Sequence, residues 1–200
     1  LGEYEFNSEI NTIKIYFEES EVNYQCLFYG CSGIDEIDAS HLVTSNSKSM
    51  RAMFNRCSSL TSINLQNFDT SEVTDMSFMF QGCSSLKSLD LSSFNTLKVT
   101  SMTAMFTSCS SLISLDLSYF YTPSLNSIAF MLQGCNKLIS INLVNFDTSN
   151  VLYMDRTFAG CSSLVSLDIS NFRTPKVVWM SYMFRGCSLI KLLDLSKFDT

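Results

Sequence analysis

The chain reads as an α/β repeat solenoid, with a parallel β-sheet along one side and short helices along the other. Three observations predict it. Cys31, Cys57, Cys83, Cys109, Cys135, Cys161 and Cys187 follow one another at a constant interval of 26 residues. Thr44, Thr70, Thr96, Thr122, Thr148, Thr174 and Thr200 keep the same interval, as do Phe68, Phe94, Phe120, Phe146, Phe172 and Phe198, with Leu42 leading that column. Apolar residues make up 46% of 200, while glycine (7) and proline (2) are scarce, so the repeat has core material and is neither collagen-like nor a linker. A fixed period of this size marks stacked units, none of which can bury its apolar face alone.

The elements follow in chain order. Residues 1–25 are expected to cap the array: Ile10, Ile13 and Ile15 imitate the later leucine spacing, and six glutamates from Glu3 to Glu21 make a polar outer edge. Residues 26–200 then form seven repeats. One unit, from Val73, is VTDMSFMFQGCSSLKSLDLSSFNTLK. Leu86, Leu89, Leu91 and Phe94 give L-x-x-L-x-L-x-x-F, a leucine-rich-repeat-like signature with phenylalanine where Asn or Cys is usual. Leu89 and Leu91 alternate with Ser88 and Asp90, the period of a strand with one buried face. Strands of successive units should pair in parallel about 4.8 Å apart and in 26-residue register. Val73, Met76, Met79, Phe80 and Cys83 have the spacing of one helix face, with Thr74 or Ser71 as N-cap and Gly82 as a left-handed closing residue. The last residues, Lys197 to Thr200, fall inside the repeat pattern, so the array is expected to be truncated there.

Charge and composition narrow the function. Thirteen basic residues against nineteen acidic give a net charge of −6, with no basic run, which disfavours a nucleic-acid partner. No apolar stretch reaches the roughly 18 residues of a membrane span. A single histidine, and the lack of a nucleophile–base pair, a phosphate loop or a clustered metal-ligand motif, argue against an enzyme; no cofactor and no metal are expected.

The strings VTDMSFMFQGCSSLKSLDLSSF and NFDTSEVTDM resemble the repeat of the BspA-like leucine-rich-repeat surface proteins, seen also in mycoplasma lipoprotein-type proteins and in some protists. The resemblance runs over residues 28–200. It implies a solenoid displayed on a cell surface or outside the cell, acting as an adhesin or protein-binding module, with no catalytic residues to carry over. Pro123, Pro175, Ile128, Thr157 and Asn136-Lys137 depart from the pattern, and the first repeat has Ile34, Ile37 and Ala39 at the leucine positions.

Five columns are candidate sites. The cysteines lack the C-x-x-C and histidine pattern of a metal site, and seven stacked thiols point one way, which suits disulfides poorly. Cys57 to Cys187 are expected to be buried, reduced and unreactive until unfolding, with Cys26 outside the ladder. The outward strand column, Asp38, Asn64, Asp90, Asp116, Asn142, Asp168, Asp194, is either a site for divalent cations or a basic partner, or simply the standard solvent-facing residue; the structural reading is favoured. The threonine column is read as a hydrogen-bonded turn ladder rather than a ligand face. The columns of Asp75 and Phe78 differ most between repeats and bring together Phe130, Tyr153, Arg156, Trp179 and Tyr182. These residue types dominate interface hot spots, and an i, i+3 relation on a helix would place them in one patch. Two function classes follow: a recognition module binding protein or glycan, or a structural component assembling with copies of itself into a filament or coat.

Overall fold

The computed structural model describes residues 24–199. Each coil passes one short sheet position. Strands β1 (Glu36–Asp38), β2 (Ser62–Asn64), β3 (Ser114–Asp116) and β4 (Ser140–Asn142) form two parallel pairs, β1 with β2 and β3 with β4. Glu36 faces Ser62 and Leu115 faces Ile141, so pairing is offset by one 26-residue repeat, as the sequence predicts. Among the described residues there are four strands of three residues rather than seven. Elsewhere on the strand side, coils meet through single bonds such as Ile113 N–H to the Lys87 carbonyl (3.1 Å) and Val165 N–H to the Ile139 carbonyl (3.5 Å). Alternation holds in β3, where Leu115 is buried between exposed Ser114 and Asp116.

The helical side is not helical. No helix occurs among the described residues; the segment around Met76–Cys83 is a run of tight turns, each closed by an N–H to the carbonyl three residues back (Met79 to Met76, Gln81 to Phe78, Cys83 to Phe80). Alternate N–H groups leave the coil instead: those of Met76, Phe78, Phe80 and Gly82 donate to the Ser101, Thr103, Met105 and Thr107 carbonyls at 2.8–3.0 Å. Single parallel bridges run continuously through Ser49, Asp75, Ser101, Ser127, Tyr153 and Trp179. The expected N-caps Ser71 and Thr74 therefore cap nothing helical.

The physical reason is spacing. Phe28, Phe54, Phe80 and Phe106 stack on this side with centroids 5.4–5.7 Å apart, while Phe68, Phe94 and Phe120 stack at 6.1–6.3 Å. Helices pack with axes about 8–10 Å apart, too wide for coils held at β-like separation around the whole circuit. A three-residue turn puts Met76, Met79 and Cys83 on the inner side as well as a helix would, and its N–H groups remain available to the next coil.

Two residues per coil take positive φ. The first column is Cys26, Ala52, Phe78, Ala104, Phe130, Arg156 and Tyr182, between 52° and 62°; the second is Gly30, Arg56, Gly82, Ser108, Gly134, Gly160 and Gly186. Each is the third residue of a tight turn, where a type II turn needs a left-handed conformation. Gly82 is left-handed, as its position in the repeat suggests, but it serves a turn.

The core is a set of continuous ladders. Met76, Met79, Phe80, Cys83 and Leu86 are fully buried, and their equivalents one and two coils on are buried alike. The threonine ladder is a hydrogen-bonded one: Thr122 Oγ1 donates to the Asp147 carbonyl (2.9 Å) and accepts the Asp147 N–H (2.8 Å), and Thr70 and Thr148 make the same pair of bonds one coil on. The cap expected over residues 1–25 lies outside the described residues except for Tyr24 and Gln25; Tyr24 is buried and its hydroxyl donates to the Val43 carbonyl at 2.7 Å.

Candidate functional site

The five residues singled out from the sequence fall into two clusters. Tyr153 and Trp179 are adjacent rungs of the bridge ladder, with ring centroids 5.5 Å apart and planes tilted by 56°. Phe130, Arg156 and Tyr182 are successive members of the first left-handed column. The Arg156 guanidinium lies 5.7 Å from the Phe130 ring centre and 5.4 Å from that of Tyr182, and Arg185 covers Tyr182 at 5.7 Å. Trp179 is 61% and Tyr182 60% exposed, while Phe130 and Arg156 are half-buried. No ring or cation contact joins the two clusters among the described residues. The i, i+3 contact expected from a helix is absent because the helix is absent.

Left-handed strain at Phe130, Arg156 and Tyr182 is not itself a mark of function, since Ala52 and Ala104 share it in coils with no aromatic there. It belongs to the turn. Stacking a guanidinium between two rings, at roughly 0.5–1 kcal/mol for each exposed contact, offsets part of the 1–2 kcal/mol that such a conformation costs. Arg51 over Phe78 (4.5 Å) does the same earlier in the array.

The aspartate column turns back on its own loop. Oδ1 of Asp38, Asp90, Asp116, Asp168 and Asp194 accepts the N–H of the serine two residues on, at 2.8–3.1 Å. Asn64 and Asn142 accept the Gln66 and Val144 N–H groups in the same way. These bonds hold the carboxyls below their ordinary pKa: the serine N–H is the main cause at Asp90, Asp116, Asp168 and Asp194, the Ser40 hydroxyl at Asp38. No group of three or more His, Cys, Asp or Glu side chains able to hold a metal ion is found among the described residues.

The thiols are free. Cys57, Cys83, Cys109, Cys135 and Cys161 are buried, Cys31 and Cys187 partly so, and Cys26 is exposed. Each ladder thiol from Cys57 on donates to the carbonyl of the residue 29 positions back, as Cys109 does to Phe80 at 3.1 Å. Burial pushes the ladder thiols, Cys31 to Cys187, above their ordinary pKa, those of Cys57 and Cys135 to about 12.

Two surfaces lie outside the columns chosen from the sequence. Ile113, Ile139 and Val165, each about half exposed, form an aliphatic stripe beside the strands, with Lys137, Ser163 and Leu189 completing a shallow groove. Tyr119 and Tyr121, each 54% exposed, flank a second depression with Leu97. The signal for the tyrosines is in the sequence: other coils carry Asn67 and Asp69, Ser93 and Asn95, Asn145 and Asp147, or Asn171 and Arg173 at the same two positions.

Parallel strands in repeat register around a leucine and phenylalanine core make this a leucine-rich-repeat-type solenoid. The chain belongs to the DUF285 family, described as Mycoplasma protein of unknown function, whose profile matches residues 22–141 and 113–200; the BspA-like resemblance of the repeats is borne out. A leucine-rich repeat protein from Bacteroides ovatus superposes with a TM-score of 0.52 at 20% identity, over 83% of this chain and 38% of that one. The T. pallidum leucine-rich repeat protein TpLRR is 19% identical, with a TM-score of 0.44 over 70% of this chain and 69% of its own. This chain thus spans well under half the length of the Bacteroides protein. At 20% identity, the Bacteroides match shows a shared fold and nothing finer. No curated protein matches the chain.

Proposed function

We propose that this solenoid is a non-catalytic recognition module, displayed at a cell surface or outside the cell, that binds a protein partner through its later coils. One observation carries the reading. At two positions where other coils mostly bear Ser, Asp or Ala (Cys26 and Phe78 excepted), these coils bear Tyr153, Trp179, Phe130, Arg156 and Tyr182, half-buried to exposed and stacked in two clusters. Large rings paired at the surface exceed the scattered apolar exposure of an ordinary monomer and supply the side chains that anchor interfaces. The resemblance of the repeats to BspA-like surface proteins supports the surface placement.

The alternative is self-assembly into a filament or coat. It would use the Tyr153–Trp179 pair, ring centroids 5.5 Å apart, as the contact between copies.

Trp179→Ala tests both. Its ring is exposed and its backbone carbonyl, which accepts the Met154 N–H at 2.7 Å, is untouched, so folding should be nearly intact. Binding to a partner, or self-association measured by sedimentation, should weaken by about 2 kcal/mol or more if the ring is a hot spot. Lower stability with unchanged association would place Trp179 in the core and end the proposal.

A further inference from the structure

We propose that the depression between Tyr119 and Tyr121 is a binding site for a neutral sugar ring, separate from the Trp179 face. It is lined by Ser92, Phe94, Asn95, Leu97 and the two tyrosines, with a volume of about 250 Å³. That is below the range of sites for drug-sized ligands and suits a single small ring. Phe120, between the tyrosines, is fully buried, so the chain anchors the pair while leaving both rings half out in water. No other coil places two aromatics at these positions, and the turn folds there with Asn, Ser, Asp or Arg. The fold therefore does not require them.

The hydrogen-bonding groups favour a polyhydroxylated, uncharged ligand. No residue lining the depression is ionisable as a carboxylate, ammonium or guanidinium, so nothing there recognises a phosphate, a peptide terminus or a charged side chain. Asn145 Nδ2 donates to the Ser118 carbonyl (2.7 Å) and to the Tyr121 hydroxyl (3.2 Å), so that hydroxyl accepts from the protein and keeps its own proton to donate. Asn95 Oδ1 accepts the Leu97 N–H (3.1 Å), which fixes the amide and leaves its NH₂ as a donor with no partner among the described residues. Ring faces for the C–H side of a pyranose, and a few fixed donors for its hydroxyls, are what such a ligand needs. Tyrosine supplies that contact at little cost in side-chain entropy.

The test is saturation-transfer NMR with the intact chain and a panel of free glucose, galactose, mannose and N-acetylglucosamine, followed by titration of tyrosine chemical shifts. At least one sugar should bind, and Tyr119→Ala and Tyr121→Ala should each weaken it by about tenfold or more. Trp179→Ala should leave it unchanged, which separates failure of this site from failure of the protein-binding face. Thermal melting of the variants guards against a folding artefact. The proposal is overturned if no sugar in the panel binds, if binding survives both tyrosine variants, or if it follows Trp179 instead.

Discussion

Ser108 occupies a position that five of seven coils give to glycine, at φ +60°. Its backbone N–H donates to the Gln133 carbonyl at 2.7 Å, and its side chain is exposed. Ser108→Gly therefore removes a left-handed penalty of about 1–2 kcal/mol without breaking a ladder bond. Extra freedom in the unfolded chain returns roughly 0.4–1 kcal/mol of that gain. The net expectation is a stabilisation of about 0.5–1 kcal/mol, or about 1–4 °C in Tm for a chain of this size. Ser108→Ala is the control, because alanine keeps the penalty; it should move Tm by less than about 1 °C. The reverse change, Gly160→Ala, should destabilise by about 1–2 kcal/mol. Its new Cβ would lie 3.4 Å from the Gly134 Cα and N, at the tight edge of ordinary van der Waals contact, so the φ of +79° carries the cost. Circular dichroism melts of the three variants measure all of this. If Ser108→Gly is no more stable than Ser108→Ala, left-handed strain is not what the glycine column relieves.

Three further outcomes are expected. Thr122→Val leaves the Asp147 N–H without its acceptor in the ladder and should cost about 1–3 kcal/mol in urea unfolding, whereas Thr122→Ser should keep most of the stability. Under native conditions at neutral pH a thiol reagent should modify Cys26 quickly and Cys57, Cys83, Cys109, Cys135 and Cys161 only on unfolding; rapid native labelling of several of these five would contradict the packing. The buried thiols also fix a direction for pH. Their folded pKa lies above the ordinary 9.0, so the stability they contribute is complete below 9.0 and declines as pH rises towards about 12, where Cys57 and Cys135 ionise in place. Urea midpoints should thus fall above about pH 9, less steeply in Cys135→Ala, and a midpoint that rises there would refute the assignment.

How far the sequence reaches differs from column to column. Repeat register, the inward leucines, the buried phenylalanine and cysteine ladders and the threonine bonds follow from period and polarity, because equivalent residues in a stack must share one environment. The aromatic columns were legible as the positions that differ most between repeats. Tyr119 and Tyr121 break their columns just as clearly, and only their joint exposure around a depression gives that break a meaning.

The helix was not decided locally. Val73, Met76, Met79, Phe80 and Cys83 satisfy a helix face and a run of three-residue turns equally well, and a single repeat contains nothing that separates the two. The stack separates them. Phenylalanine rings 5.4–5.7 Å apart leave no room for helices that need about 8–10 Å, and backbone N–H groups then bond to the next coil instead of their own. Once the helix is replaced by turns, Phe130, Arg156 and Tyr182 become left-handed turn residues, and the single patch divides into an arginine sandwich and a tyrosine–tryptophan pair. Sequence alone determined which residues recur and which side of each strand is apolar; the separation between coils, a property of their packing together, determined the backbone that carries the candidate surface.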